Sequence, residues 1–275
     1  MNHKLNLLLS SASLSALLLS SCGPDKVEVR DEQITTDTLK KQVVADVNLI
    51  RANIPSPSVI SKNFNKAGYT YMKNLLNPSS KGSGYSSKYQ AALGLGAYGA
   101  DLSYIGSYGQ NGDAAEYLGQ LGKLSQQLKI ESAFDPAFIQ RMSNAKGDSI
   151  NQMTDEVFDK AERNLRSNDR MATAALVIAG GWVEGLHVAV DAISTKPKDA
   201  KNADLYHDIY VHVYSFQYVK DLLQQYDKDA DCKKLLDDLK PFEPVIANYG
   251  NMTTLSDKEM PALKDAITTL RNKLL

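Results

Sequence analysis

Residues 169–194 are apolar nearly all the way round a helical projection, and this run constrains the fold more than any other part of the chain. A helix without a polar face is stable only when other elements or lipid cover it. Glu184 and His187 stand within the run, and ionisable groups at the centre of a bilayer are costly unless they are paired. We therefore predict that the run is the central helix of a bundle. A membrane span from Met171 to Val190 is the alternative.

Amphipathic segments that can surround such a helix follow one another along most of the chain. One apolar face, at the spacing of a single helix side, consists of Ile150, Met153, Val157, Phe158, Ala161 and Leu165. The same period, with its turn residues, predicts helices over 58–76, 86–108, 202–226, 229–240 and 258–274. The predicted fold class is therefore all-α, a multi-helix bundle in a single domain over residues 57–275.

The start of the chain has the features of an export signal, with Lys4 ahead of a serine-diluted apolar run over 5–19. Leu19-Ser20-Ser21-Cys22 then resembles the lipobox of bacterial lipoproteins, whose cysteine is acylated and becomes the first mature residue. The resemblance implies that residues 1–21 are a lipoprotein signal peptide and that acyl chains on Cys22 hold the protein to a membrane. An ordinary cleaved signal or a short membrane helix is the alternative.

The segment that follows Cys22 is charged and weakly apolar, and we interpret residues 22–56 as the lipidated N-terminus and a tether. In the lipoprotein family an aspartate after the cysteine retains some proteins at the inner membrane of Gram-negative bacteria. Gly23 stands there in this chain, which implies the outer membrane. Cys232 is the one remaining cysteine, so we expect a small buried hydrophobe and no internal disulfide.

Glu184 and His187 are three residues apart, on one face of the central helix. Glu-x-x-His is the half-motif that carboxylate-bridged di-iron bundles use twice. Asp204 and His207 repeat the spacing in the next predicted helix, which also carries Asp208 and His212. A site for iron or another divalent metal is one reading of these groups, with Asp101 or Glu116 as further donors.

The other reading is a buried polar network, in which Glu184 and His187 accept hydrogen bonds from tyrosine or tryptophan side chains at a helix interface. Both readings draw on the same candidates, which are Asp101, Glu184, His187, Asp191, Asp204, His207, Asp208 and His212. The chain also has 14 tyrosines and one tryptophan, which are typical of either a sealed helix interface or a ligand pocket. The candidate pocket aromatics are Trp182, Tyr98, Tyr104, Tyr210 and Tyr214.

Two further motifs match known patterns only in part. Gly94, Gly96 and Gly99 fit the dinucleotide fingerprint G-x-G-x-x-G, but no strand precedes them, so we predict close helix packing instead. Asp227, Asp229 and Asp231 resemble the start of a calcium loop, yet its sixth position is Cys232 rather than glycine. We predict a solvated helix start there.

The segments GAYGADLSY (96–104) and GGWVEGLHVAV (180–190) are similar to parts of a group of all-helical lipoproteins of Gram-negative bacteria whose function is uncharacterised. The resemblance implies an all-α fold and a location in the cell envelope, and it carries over no catalytic residue.

These features lead us to expect a non-enzymatic binding or interaction module. Its partners would be the membrane, through Cys22, and an unknown envelope protein or small ligand. A metal-binding bundle is the alternative. The net charge is −1 and there is no basic block, so a nucleic-acid partner is not expected. The sequence offers no nucleophile motif for a hydrolase.

Overall fold

The structure is a computed structural model that describes residues 48–145 and 148–275. These residues form helices joined by turns, with no strand among them, which confirms the all-α prediction. The α-helices in chain order are α1 (Pro57–Lys66), α2 (Lys88–Ser107), α3 (Asn111–Gln127), α4 (Pro136–Ser143), α5 (Asp148–Ser167), α6 (Met171–Ile193), α7 (Ala203–Tyr214), α8 (Phe216–Gln224), α9 (Ala230–Leu239), α10 (Glu243–Ala247) and α11 (Met260–Leu274). Short 3₁₀ turns cover Lys73–Leu75, Lys81–Gly84, Glu131–Phe134 and Lys240–Phe242.

Helix α6 is the centre of the bundle, as the apolar run predicts. It packs against α1, α2, α5, α7, α8, α9 and α11. By length and composition it is apolar enough to cross a membrane, but 83% of its apolar window is buried inside the protein. The other helices therefore cover its apolar surface, which is the role of a core helix.

Helices α2 and α6 approach each other closely at paired glycines. A Cβ added to Gly96 would lie 1.9 Å from the Val177 carbonyl oxygen, and one added to Gly180 would lie 2.1 Å from that of Leu93. The G-x-G-x-x-G match lies in the interior of α2, whereas a dinucleotide loop opens a helix after a strand. Its glycines therefore serve close packing between helices, as predicted.

Two predicted helices are shorter than expected. The helix predicted over 58–76 ends at Lys66, because Gly68 takes a left-handed conformation with φ +77°. The helix predicted over 202–226 is interrupted at Ser215. There the His212 carbonyl accepts from Ser215 N, Ser215 Oγ and Trp182 Nε1, which diverts it from the ordinary helical partner four residues on.

Residues 48–52 are helical, and residues 51–56, which we call the strap, lie against α5. The sequence assigns this stretch to the tether, yet Ile54 is buried and Arg51 pairs with α5. The predicted signal peptide, Cys22 and the tether up to residue 47 lie outside the described residues.

Candidate functional site

A cavity of about 240 Å³ lies between α2, α5 and α6, and the strap forms part of its wall. We call it the interhelical cavity. Most of the side chains around it are small or apolar. They include Gly96, Gly99, Ala100, Phe158, Ala161, Leu165, Ala174, Val177, Ile178, Gly181 and Trp182.

The cavity exists because small residues meet where the three helices converge. Gly96 and Gly181 lie at the close contact of α2 and α6, so neither has a side chain to fill the space beside that contact. Ala100 adds only a methyl group. The Phe158 ring of α5 covers Gly99, where an added Cβ would lie 2.1 Å from its Cζ. The ring thus reaches across to α2 and leaves space around it.

The buried polar groups around the cavity are bonded within the protein. Ser103 Oγ donates to the Gly99 carbonyl at 3.0 Å, and Thr154 Oγ1 donates to the Ile150 carbonyl at 2.8 Å. Trp182 Nε1 donates to Ser215 Oγ at 2.9 Å. The buried wall of the cavity therefore favours contact with apolar atoms over hydrogen bonds to a ligand.

Charged side chains line the solvent side of the cavity, which we call the mouth. Arg51 of the strap donates from Nε to Glu162 Oε2 at 3.1 Å, and its Nη2 lies 3.6 Å from Asp159 Oδ1. Arg166 donates to the other oxygen of Glu162 at 2.8 Å. Asp155 completes the mouth. The site thus combines an apolar interior with a polar entrance, as small-molecule sites do.

A buried cluster of charges lies elsewhere on α6. Arg271 of α11 donates from Nε to Glu184 Oε2 at 2.7 Å and from Nη2 to Oε1 at 2.8 Å, and Glu184 is fully buried. Asp101 of α2 is a buried neighbour of this pair: its Oδ2 accepts from Asn77 N and Nδ2, both at 3.2 Å, and its Oδ1 has no hydrogen-bond donor among the described residues. Burial and the charge of Glu184 raise the pKa of Asp101 well above its usual value. We infer that Asp101 is protonated and Glu184 is ionised, because Arg271 donates to both oxygens of Glu184 and burial beside that negative charge disfavours a second one.

The three candidate histidines have separate partners. His187 Nδ1 lies 3.4 Å from Thr268 Oγ1, and His207 Nδ1 lies 2.9 Å from the Thr253 carbonyl. His212 Nε2 donates to the Trp182 carbonyl at 2.9 Å. Burial lowers the pKa of His187 to about 3 and that of His212 to about 4, so both are neutral in the folded protein at pH 7.

The remaining carboxylate candidates are also spread over the molecule. Asp191 lies 3.4 Å from Lys264 Nζ, Asp208 accepts from Asn63 at 2.9 Å, and Asp204 is exposed. Glu116 is exposed and lies 3.4 Å from Lys73 Nζ. Among the described residues, no three His, Cys, Asp or Glu side chains come together as a set of metal ligands. Of the carboxylate candidates, the structure brings Asp101 under the influence of the Glu184 charge, and Arg271 donates to Glu184.

The candidate aromatics fall into three places. Trp182 lines the interhelical cavity. Tyr210 and Tyr214 line a separate groove of about 310 Å³ at the junction of α7 and α8. Tyr98 and Tyr104 are fully buried, and their hydroxyls accept from Gly82 N at 2.8 Å and Met72 N at 3.2 Å. Tyr98 and Tyr104 therefore seal the core, whereas the other three border open space.

The cysteine and the aspartate-rich turn have structural roles. Cys232 is buried, and burial raises the pKa of its thiol to about 12, so the thiol is protonated at pH 7. Asp229 caps α9 by accepting from Asp231 N and Cys232 N, both at 3.0 Å. Asp238 lies 3.0 Å from Lys234 and 2.9 Å from Lys273. These carboxylates are used in capping and ion pairs rather than converging on a cation.

Comparison of the chain with protein-family models, curated proteins and solved structures found no match. Sequence reasoning missed the strap at the interhelical cavity and Arg271 at the buried charge cluster. Arg271 stands in an amphipathic helix 87 residues after Glu184, and helical spacing relates only residues within one helix. The strap contains the turn residues Pro55 and Ser56, and turn residues in a sequence predict a loop rather than contacts with α5.

Proposed function

We propose that this protein is a lipid-anchored component of the bacterial cell envelope that binds a small apolar molecule in the interhelical cavity. Acylated Cys22 would hold it at the outer membrane. The export signal and the Leu-Ser-Ser-Cys sequence support the location. The cavity supports the binding function.

The observation that carries the proposal is an apolar cavity of about 240 Å³ whose buried polar groups are already bonded within the protein. Apolar cavities of roughly 150 Å³ stay dry and bind ligands of the size of benzene. Of the described residues that line the cavity, none is His or Cys, and the carboxylates stand at the mouth. Binding without chemistry is therefore the function that the cavity supports best.

Trp182 provides a direct assay, because it is the single tryptophan of the chain and lines the cavity. Bromobenzene in the cavity should quench its fluorescence in a saturable way. The protein used is residues 23–275, which retain every described residue and lack Cys22.

A matched pair of variants tests the place of binding. Ala100→Leu adds three carbon atoms inside the cavity, and Ala115→Leu adds the same atoms on the exposed side of α3. We expect saturable quenching to be lost in the first variant and kept in the second. If Ala100→Leu does not fold, Ala174→Leu is the second variant, because it fills the cavity from α6. Wild-type quenching in a folded, filled variant would contradict the proposal.

A further inference from the structure

We propose that the interhelical cavity selects apolar ligands that carry an ammonium group, and that the Asp155 carboxylate binds this group. The inference rests on the function proposed above and names the class of ligand. It follows from the way in which the charges at the mouth are paired.

Both guanidinium groups at the mouth are already engaged by carboxylates. Glu162 receives Arg51 on one oxygen at 3.1 Å and Arg166 on the other at 2.8 Å. Asp159 lies 3.6 Å from the remaining end of Arg51. An anionic ligand would therefore have to displace an existing ion pair before it could gain a cationic partner.

Asp155 differs from the other carboxylates of the mouth. Its Oδ1 accepts from Ser56 Oγ at 2.8 Å, and the one hydroxyl of Ser58 lies 3.0 Å from Oδ1 and 2.9 Å from Oδ2, so two protons serve the carboxylate. Within the part of the chain that the structure describes, no Lys or Arg lies within 4.0 Å of it. Hydroxyl groups satisfy hydrogen bonding but leave the negative charge in place. A carboxylate offers about four acceptor sites, so at least one remains for a ligand.

The position of Asp155 makes this charge available to a ligand. Asp155 lines the cavity together with Phe158, one helical turn further along α5. The serines that bond to it belong to the strap and to the first turn of α1, and they hold the carboxylate in place. A ligand whose ammonium group binds Asp155 would place its apolar chain in the space beside Phe158 and Trp182.

Three ligands with one alkyl chain test the selection, namely octylammonium, 1-octanol and octanoate. Each is titrated against the Trp182 quenching by bromobenzene at pH 7 and low salt. We expect octylammonium to bind about tenfold more tightly than octanoate, with 1-octanol between them, and added salt to reduce the difference. Equal affinities, or a preference for octanoate, would overturn the inference and leave the proposed function standing. Failure of all three and of bromobenzene would overturn the proposed function itself.

A charge-neutral isostere tests the role of Asp155. Asp155→Asn keeps an oxygen that accepts from the serine hydroxyls, so the fold should be retained. We expect this variant to lose the tenfold preference for octylammonium and to bind 1-octanol as before. Asp237→Asn makes the same change in net charge on the exposed face of α9 and should keep the preference. A preference that survives Asp155→Asn would overturn the inference.

Discussion

Asp101 and Glu184 are both buried, and the guanidinium of Arg271 donates to Glu184, on both of its oxygens. If Asp101 holds the proton, an amide in its place is equally neutral and can still accept from Asn77. We therefore expect Asp101→Asn to change the free energy of unfolding by less than about 1 kcal/mol. Glu184→Gln removes the charge that Arg271 faces, and we expect a loss of about 3 kcal/mol.

Urea unfolding at pH 7 measures both variants, with Glu116→Gln at an exposed ion pair as the control that should stay close to wild type. The reverse order, with Asp101→Asn the more damaging variant, would place the proton on Glu184. Thermal melts with and without chelator test the metal-site alternative in the same samples. A melting temperature that falls with chelator would support a bound metal.

The pH dependence of stability is a second prediction about single residues. His187 and His212 have folded pKa values of about 3 and about 4, below the ordinary value of 6.5, so the unfolded chain takes up their protons first as the pH falls. The contribution of these two neutral histidines to the free energy of unfolding is fully present above pH 6.5. It decreases as the pH falls below 6.5, and at pH 5 about 2 kcal/mol has been lost for each histidine. His187→Gln should therefore lose less stability than wild type between pH 7 and pH 5. An equal loss in urea unfolding would contradict the lowered pKa.

At the scale of the elements, the contact of α2 with α6 fixes the geometry of the cavity. Gly96→Ala would place a methyl group 1.9 Å from the Val177 carbonyl oxygen, which is backbone and cannot rotate away. We expect a loss of about 3 kcal/mol or more, since the two helices must separate. Gly119→Ala in the exposed part of α3 meets nothing within 4 Å and should stabilise the protein by about 0.5–1 kcal/mol. A Gly96→Ala variant as stable as wild type would show that the helices are not in close contact.

The elements were the most predictable level of the structure. The apolar run over 169–194 predicted the central helix, and apolar residues at helical spacing predicted the helices around it. The break at Ser215 escaped prediction, because it depends on Trp182 donating across to the His212 carbonyl from another helix. The ion pair of Glu184 with Arg271 escaped for the same reason. The spacing of residues along one helix carries no information about contacts between helices.

At the scale of the whole molecule, the cavity is the feature that sequence could least foresee. Gly96, Gly99, Ala100 and Gly181 appear in the sequence as residues of close packing, and part of their surroundings is indeed close-packed. The space beside that contact arises only when α5 and the strap are added. The cavity depends on how several helices pack together, so the sequence of any one segment does not predict it.

The manner of membrane attachment is the prediction that belongs to the whole chain. Helix α6 is long and apolar enough to span a bilayer, yet it is covered by other helices, so we expect attachment to depend on Cys22 alone. Residues 23–275 exported behind an ordinary cleavable signal should therefore appear in the soluble fraction, because most of the apolar surface of α6 is covered by other helices. The full chain should appear in the membrane fraction and incorporate labelled palmitate. A chain without Cys22 that still sediments with membranes, and leaves them only with detergent, would make α6 a span and contradict the lipid anchor as the sole attachment.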